Sequence, residues 1–167
     1  MFPGETLRLA EEVHATLLSR SLTLATAESM TAGLVAGALT TVPGASRVFS
    51  GGLVTYQQAA KTRLLDVPAE LLEEHGPVSE PATRAMAEAT LERLDTSLSL
   101  AITGYASSGP GVDPDRVGEV HMVLARADQD PLTDRGYFPG DRATVRQQAT
   151  HAALALVLRA LTAPDSG

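Results

Sequence analysis

The sequence predicts an α/β protein: a three-layer α/β/α sandwich around a mostly parallel mixed sheet with one antiparallel hairpin. Three observations predict it. Apolar runs of strand length alternate with stretches of helical periodicity, beginning with Leu22-Thr23-Leu24-Ala25 ahead of TAESMTAG. Two strand-like stretches near the end of the chain, 119–127 and 135–138, pair as the hairpin. The chain has 167 residues and 44% hydrophobic content, enough for one domain, 1–167, with a real core.

Residues 5–19 read as a helix, with Leu7, Ala10, Val13 and Leu17 near one face and His14 beside it. Residues 22–27 form the first strand and 31–41 the next helix. Gly33 and Gly37 lie one turn apart in that helix among Ala32, Ala36 and Ala38. Glycine lowers helix stability, so this spacing marks a face that another backbone approaches closely. The second strand, 47–56, is broken by Gly51-Gly52, a pair that signals a bulge or a ligand against the backbone.

Short helices follow at 59–65 and 69–75. Gly76 ends the second, and His75 sits in its last turn, where a cation meets the negative end of the helix dipole. Ser79 reads as an N-cap, with Glu80 and Pro81 in the first turn of a helix reaching residue 94. The third strand, 97–103, runs into the Gly- and Pro-rich loop 104–118, whose length in a compact domain points to function or mobility. After the hairpin comes a last helix, 141–161. Its apolar stripe is Val145, Ala149, Ala152, Leu156, Val157 and Ala160, with Ala153 beside it.

Composition excludes several classes. Thirteen basic against twenty acidic side chains give a formal net charge of −7. Direct nucleic-acid and anionic-membrane surfaces need a basic footprint, and are not expected. A small anionic ligand needs only one or two local cations. The absence of cysteine excludes disulfides, thiolate metal sites and cysteine nucleophiles. His14, His75, His121 and His151 show no metal-ligand spacing. No apolar run approaches the roughly 20 residues of a membrane span. MFPGETLRLAEE lacks the pattern of a signal peptide, so a cytoplasmic protein is expected.

Ligands of open α/β sheets bind beyond the carboxyl ends of the strands. Three predicted strands end in Glu28-Ser29-Met30-Thr31, in Thr55-Tyr56 and in Thr103-Gly104, and Lys61 follows one helical turn after the second. If those ends are neighbours, Ser29, Tyr56, Lys61 and Thr103 share one crevice. A serine nucleophile there would need a base other than histidine, and a desolvated lysine can serve. The free N–H groups of the helix after Ser29 could bind a phosphate or an oxyanion. The alternative is that Ser29 or Thr31 only caps this helix and Lys61 is solvated; spacing alone favours that alternative. Arg142 and Arg146, four apart in FPGDRATVRQQA, could clamp a phosphate. They could equally be a surface pair beside Asp141, which spacing alone again favours.

The stretches TAESMTAGLVAGALTTVPGAS, VTYQQAAKTRLLDVP, HGPVSEP, AITGYA and FPGDRATVRQQAT together resemble the CinA C-terminal domain, also called the PncC nicotinamide-nucleotide amidase family. They occur in family order and cover nearly the whole chain from Leu22 onward. The resemblance implies a compact α/β/α sandwich that commonly self-associates. It implies hydrolysis of the carboxamide of nicotinamide mononucleotide to nicotinate mononucleotide and ammonia, with neither metal nor cofactor. It places the nucleophile at Ser29 and the general base at Lys61, with Tyr56 nearby. It assigns an oxyanion or phosphate site to Thr31, Ala32 and Gly33, pocket positions to Ser79, Thr103 and Gly104, and the motif arginines to Arg142 and Arg146. Full-length CinA proteins add an N-terminal nucleotide-pyrophosphatase domain, so a stand-alone amidase domain is expected. The family pattern breaks at Met30 and Ala32, where Cys and Gly are usual. It breaks at Phe49-Ser50-Gly51-Gly52, where a cation is lost, and in GYASSGPGVDPDRVG, where Tyr105, Ser107, Ser108 and Asp115-Arg116 depart. These departures imply an alternative: a catalytically altered or inactive member that binds a nucleotide or a competence- or damage-related protein partner.

Overall fold

In the sheet, β1 (Leu24–Glu28) runs parallel to β2 (Phe49–Val54) on one side and to β3 (Leu98–Gly104) on the other. Antiparallel β4 (Glu119–Arg126) and β5 (Gln129–Tyr137) extend it beyond β3, giving the order β2-β1-β3-β4-β5. The computed structural model describes residues 2–127 and 129–163.

Alternation along the strands builds two cores. Leu98, Leu100 and Ile102 of β3 face α1 (Gly4–Ser19), α2 (Leu34–Leu39) and α6 (Arg142–Thr162). Ala27, Ala101, Val123 and Ala125 face α3 (Gln58–Leu65), α4 (Ala69–His75) and α5 (Glu80–Leu94). The second core is small-residue-rich, and Ala82 and Ala87 bring α5 close over the strands, with Met86 and Leu65 as its bulk. This is the predicted three-layer sandwich. Among the described residues no helix is long and apolar enough to cross a membrane.

Several expectations are corrected or narrowed in detail. First, α2 begins at Leu34, three residues later than predicted, because Ala32 (φ 50°) and Gly33 (φ 93°) are left-handed and cannot continue a right-handed helix. Second, β5 is nine residues long instead of four. It is an exposed edge strand, whose Asp130, Pro131 and Asp134 hide any alternation. Third, α6 buries Thr150, Ala153, Leu154 and Leu161 where Ala152 and Ala160 were expected. Fourth, the Gly51-Gly52 pair marks a bulge: the register with β1 skips between Leu24↔Phe49 and Ala25↔Gly51. A Cβ on Gly52 would lie 2.5 Å from Thr26 Oγ1, so packing alone requires glycine there. At Gly37 the close neighbour is the Phe2 ring, not a backbone.

Candidate active site

Ser29 directly follows β1. Its N–H donates to the Ile102 carbonyl at 3.0 Å, tying it to β3. The side chain is 7% exposed, and its hydroxyl makes no hydrogen bond among the described residues. A tight turn carries the chain from here into α2. Glu28, fully buried, folds its carboxylate onto the start of that helix and accepts from the N–H groups of Gly33 (2.9 Å), Val35 (3.1 Å) and Ala36 (2.8 Å). The helix terminus expected to bind an external anion therefore already holds an internal one. The Ala32 N–H is also engaged, donating to the Ser29 carbonyl at 3.0 Å. The N–H groups of Met30 and Thr31 have no acceptor among the described residues.

From the other side, Arg146 of α6 reaches the same turn. Its Nε donates to the Met30 carbonyl and its Nη2 to the Thr31 carbonyl, both at 2.9 Å. Arg142, one helical turn earlier, donates from Nη2 to the Tyr56 hydroxyl at 2.6 Å and from Nη1 to Ser107 Oγ at 3.2 Å. The two arginines share a helix face yet serve different places, so they do not form a joint clamp.

Lys61 comes from α3 and is 1% exposed. Its Nζ donates to the Thr55 carbonyl at 2.9 Å, and no carboxylate neutralises it among the described residues. Burial pushes its pKa down from 10.5 to about 8. Ser29, Lys61, Tyr56, Gly104 and Arg142 line one cavity of about 290 Å³ at the carboxyl ends of β2, β1 and β3. The other predicted residues do not line it. Thr31 is buried, with its hydroxyl unpartnered, and Ala32 is exposed. Gly33 donates to Glu28, as above. Ser79 caps α5, accepting from Ala82 N–H and donating to the Gly76 carbonyl. Thr103 and Thr83 pair their hydroxyls at 2.8 Å beneath the sheet end. A larger groove of about 580 Å³ between α5 and the α3–α4 connection contains none of the predicted residues.

Residues 105–109 and Val112 of the loop, with Pro77 and Val78, form the remaining wall. Arg116 donates to Glu119 (2.6 Å) and to the Val78 carbonyl (2.9 Å), and its guanidinium lies 5.0 Å from the centre of the Tyr105 ring. Glu119 is itself buried and also holds His121 at 2.8 Å and Arg135 at 2.9 Å. The Arg116 hydrogen bond, together with His121 and Arg135, holds its carboxyl down at a pKa of about 2. Sequence reading gave no role to Glu28, Glu119 or His121. The available signal was Glu119 and His121 two apart in an apolar strand, which puts both polar groups on one buried face.

A family model described as the CinA C-terminal domain matches residues 6–161. The chain belongs to the CinA C-terminal domain family. It is 48% identical over 134 residues to a CinA-like protein of Parasynechococcus marenigrum, covering 80% of this chain and 32% of that protein. It is 45% identical over 161 residues to a putative competence-damage inducible protein of Symbiobacterium thermophilum, covering 92% of this chain and 38% of that protein. The chain thus spans roughly a third of the length of these curated relatives. Among solved structures, competence/damage inducible protein CihA from Agrobacterium tumefaciens superposes with a TM-score of 0.91 at 35% identity, covering 98% and 99% of the two chains. A competence or damage-inducible protein from Enterobacter asburiae gives 0.89 at 32% identity, covering 94% and 98%.

Of the positions where this CinA domain departs from the expected pattern, Met30, Tyr105, Ser107 and Ser108 line the cavity, whereas Ala32 and residues 49–52 do not. Met30 lines the cavity, and a Cβ on Gly104 would lie 3.2 Å from its Cγ. Tyr105 and Arg116 are in contact with each other, so the altered loop is braced as one piece.

Proposed function

We propose that this CinA domain is an amidohydrolase acting on the carboxamide of nicotinamide mononucleotide or a close relative. The observation that carries this reading is a serine hydroxyl with no hydrogen-bond partner among the described residues, in the same cavity as a buried lysine of pKa about 8. At neutral pH roughly a tenth of such a lysine is unprotonated. A neutral amine keeps two N–H donors and one lone pair, so Lys61 can hold the Thr55 carbonyl and still accept a proton.

Ser29 Oγ attacks the carboxamide carbon while Lys61 Nζ takes its proton. The oxygen of the tetrahedral adduct gains negative charge beside the N–H of cavity-lining Met30, which has no acceptor among the described residues. The Lys61 ammonium then returns the proton to the departing nitrogen, the C–N bond breaks and ammonia leaves. Water, deprotonated by Lys61, cleaves the Ser29 ester to give nicotinate mononucleotide and the free serine. Arg142 supplies a cation at the mouth for the phosphate, and Tyr56 orients it. The test is ammonia release from nicotinamide mononucleotide by the purified protein: steady turnover supports the reading, and none by folded protein overturns it.

One observation favours a second reading. Lys61 Nζ is bonded to Thr55 and not to the Ser29 hydroxyl. A domain that binds a pyridine nucleotide without turning it over would show heat of binding by calorimetry and no ammonia over hours.

A further inference from the structure

Arg146 was expected to bind substrate phosphate, yet both of its hydrogen bonds go to backbone carbonyls of the turn after Ser29. The geometry of a peptide unit gives those bonds a consequence. The described chain has no cis peptide bond, so the Met30 carbonyl and the Thr31 N–H lie in one plane and point in opposite directions. A guanidinium that fixes the carbonyl on one side therefore fixes the N–H on the other. The same holds one residue earlier: the Ser29 carbonyl is held by the Ala32 N–H, and this sets the direction of the Met30 N–H. Glu28 anchors the far end of the turn through Gly33, Val35 and Ala36. The turn bends through left-handed Ala32, which an alanine does not hold unaided, so external anchors are needed to keep one conformation.

We propose that Arg146 is a positioning residue that fixes the turn carrying Ser29, acting with Glu28 as a two-sided brace that holds the Ser29 hydroxyl in the cavity. The claim rests on the amidase reading for its kinetic consequence and on geometry alone for the brace. It assigns Arg146 no contact with substrate. Its loss lowers kcat and leaves KM nearly unchanged, whereas loss of a phosphate contact raises KM.

The experiment compares wild type, Arg146→Gln and Arg146→Lys for ammonia release from nicotinamide mononucleotide, and for amide hydrogen exchange in the 29–36 segment. Loosening the turn that positions the Ser29 nucleophile is expected to lower kcat about tenfold to a hundredfold in Arg146→Gln. KM should stay within about threefold, the pH profile should keep its shape, and exchange in 29–36 should quicken selectively. Lysine can satisfy only one carbonyl well and should restore part of kcat. A raised KM with unchanged kcat, or exchange as slow as in wild type, overturns the proposal. If wild type releases no ammonia, the amidase reading fails separately, and the exchange comparison still decides the brace. If Arg146→Gln does not fold, Arg146→Lys carries the same comparisons.

Discussion

Lys61, 1% exposed, donates from Nζ to the carbonyl of Thr55 at 2.9 Å with no carboxylate partner among the described residues. A buried cation with only a neutral acceptor is destabilised relative to its uncharged form, and that is the cause of its depressed pKa. The chemistry proposed for the cavity depends on this pair.

Activity should therefore rise with pH. The base form of Lys61 is the competent one, so kcat/KM for ammonia release should climb through an apparent pKa near 8 and then level. Initial rates across that range test this. A profile that is flat, or that falls through the same range, contradicts the assignment of Lys61 as base.

The same residue should weaken the fold. Its folded pKa of about 8 lies below the ordinary 10.5, so the unfolded chain holds the proton more tightly between those values, and stability rises with pH there. Below that window the buried charge costs about 3 kcal/mol. Lys61→Met should be inactive and more stable than wild type at neutral pH, with the difference shrinking toward pH 10.5. Urea unfolding at both ends of the window measures it. A variant that is less stable at neutral pH contradicts the account.

Glu119 should behave in the opposite sense. Its carboxyl is held at about 2 against an ordinary 4.5, so its stabilisation is present above 4.5 and lost as pH falls toward 2. Glu119→Gln should lose about 2 kcal/mol at neutral pH, less than the full shift implies because Arg116 and Arg135 are partly solvated. The gap to wild type should close on acidification, which acid titration of unfolding would show. Freed from Glu119, Arg116 should also release the 105–118 loop, visible as a higher KM.

Ala32 offers a gain in stability. Its φ of 50° is left-handed, where a Cβ is strained and glycine is not. Ala32→Gly should stabilise the protein by about 0.5–1 kcal/mol after allowing for the freer unfolded chain. Thermal unfolding measures it, and a loss of stability would show that the turn does not need a left-handed residue there.

Local signals made much of the fold legible. The ends of α4 and the Ser79 cap of α5 are set by residues adjacent in sequence, and they stand where the sequence places them. The start of α2 does not, because left-handed Ala32 and Gly33 interrupt the helix and the Glu28 carboxylate, five to eight residues back, folds onto its first N–H groups. β5 was half missed since an edge strand needs no apolar face. In the site, Ser29, Lys61, Tyr56, Gly104 and Arg142 meet because three parallel strands end side by side. Arg146 looked equivalent to Arg142 at its helical spacing. Only the tertiary approach of α6 to the Ser29 turn separates a residue at the mouth from one gripping the backbone.

The central claim is that Ser29 becomes covalently acylated. Acid-quenching the protein during turnover of nicotinamide mononucleotide and mapping adducts by mass spectrometry tests it most directly. A nicotinate mononucleotide acyl group is expected on the peptide carrying Ser29, with no adduct and no ammonia release in Ser29→Ala. Ammonia release that persists in folded Ser29→Ala would contradict it.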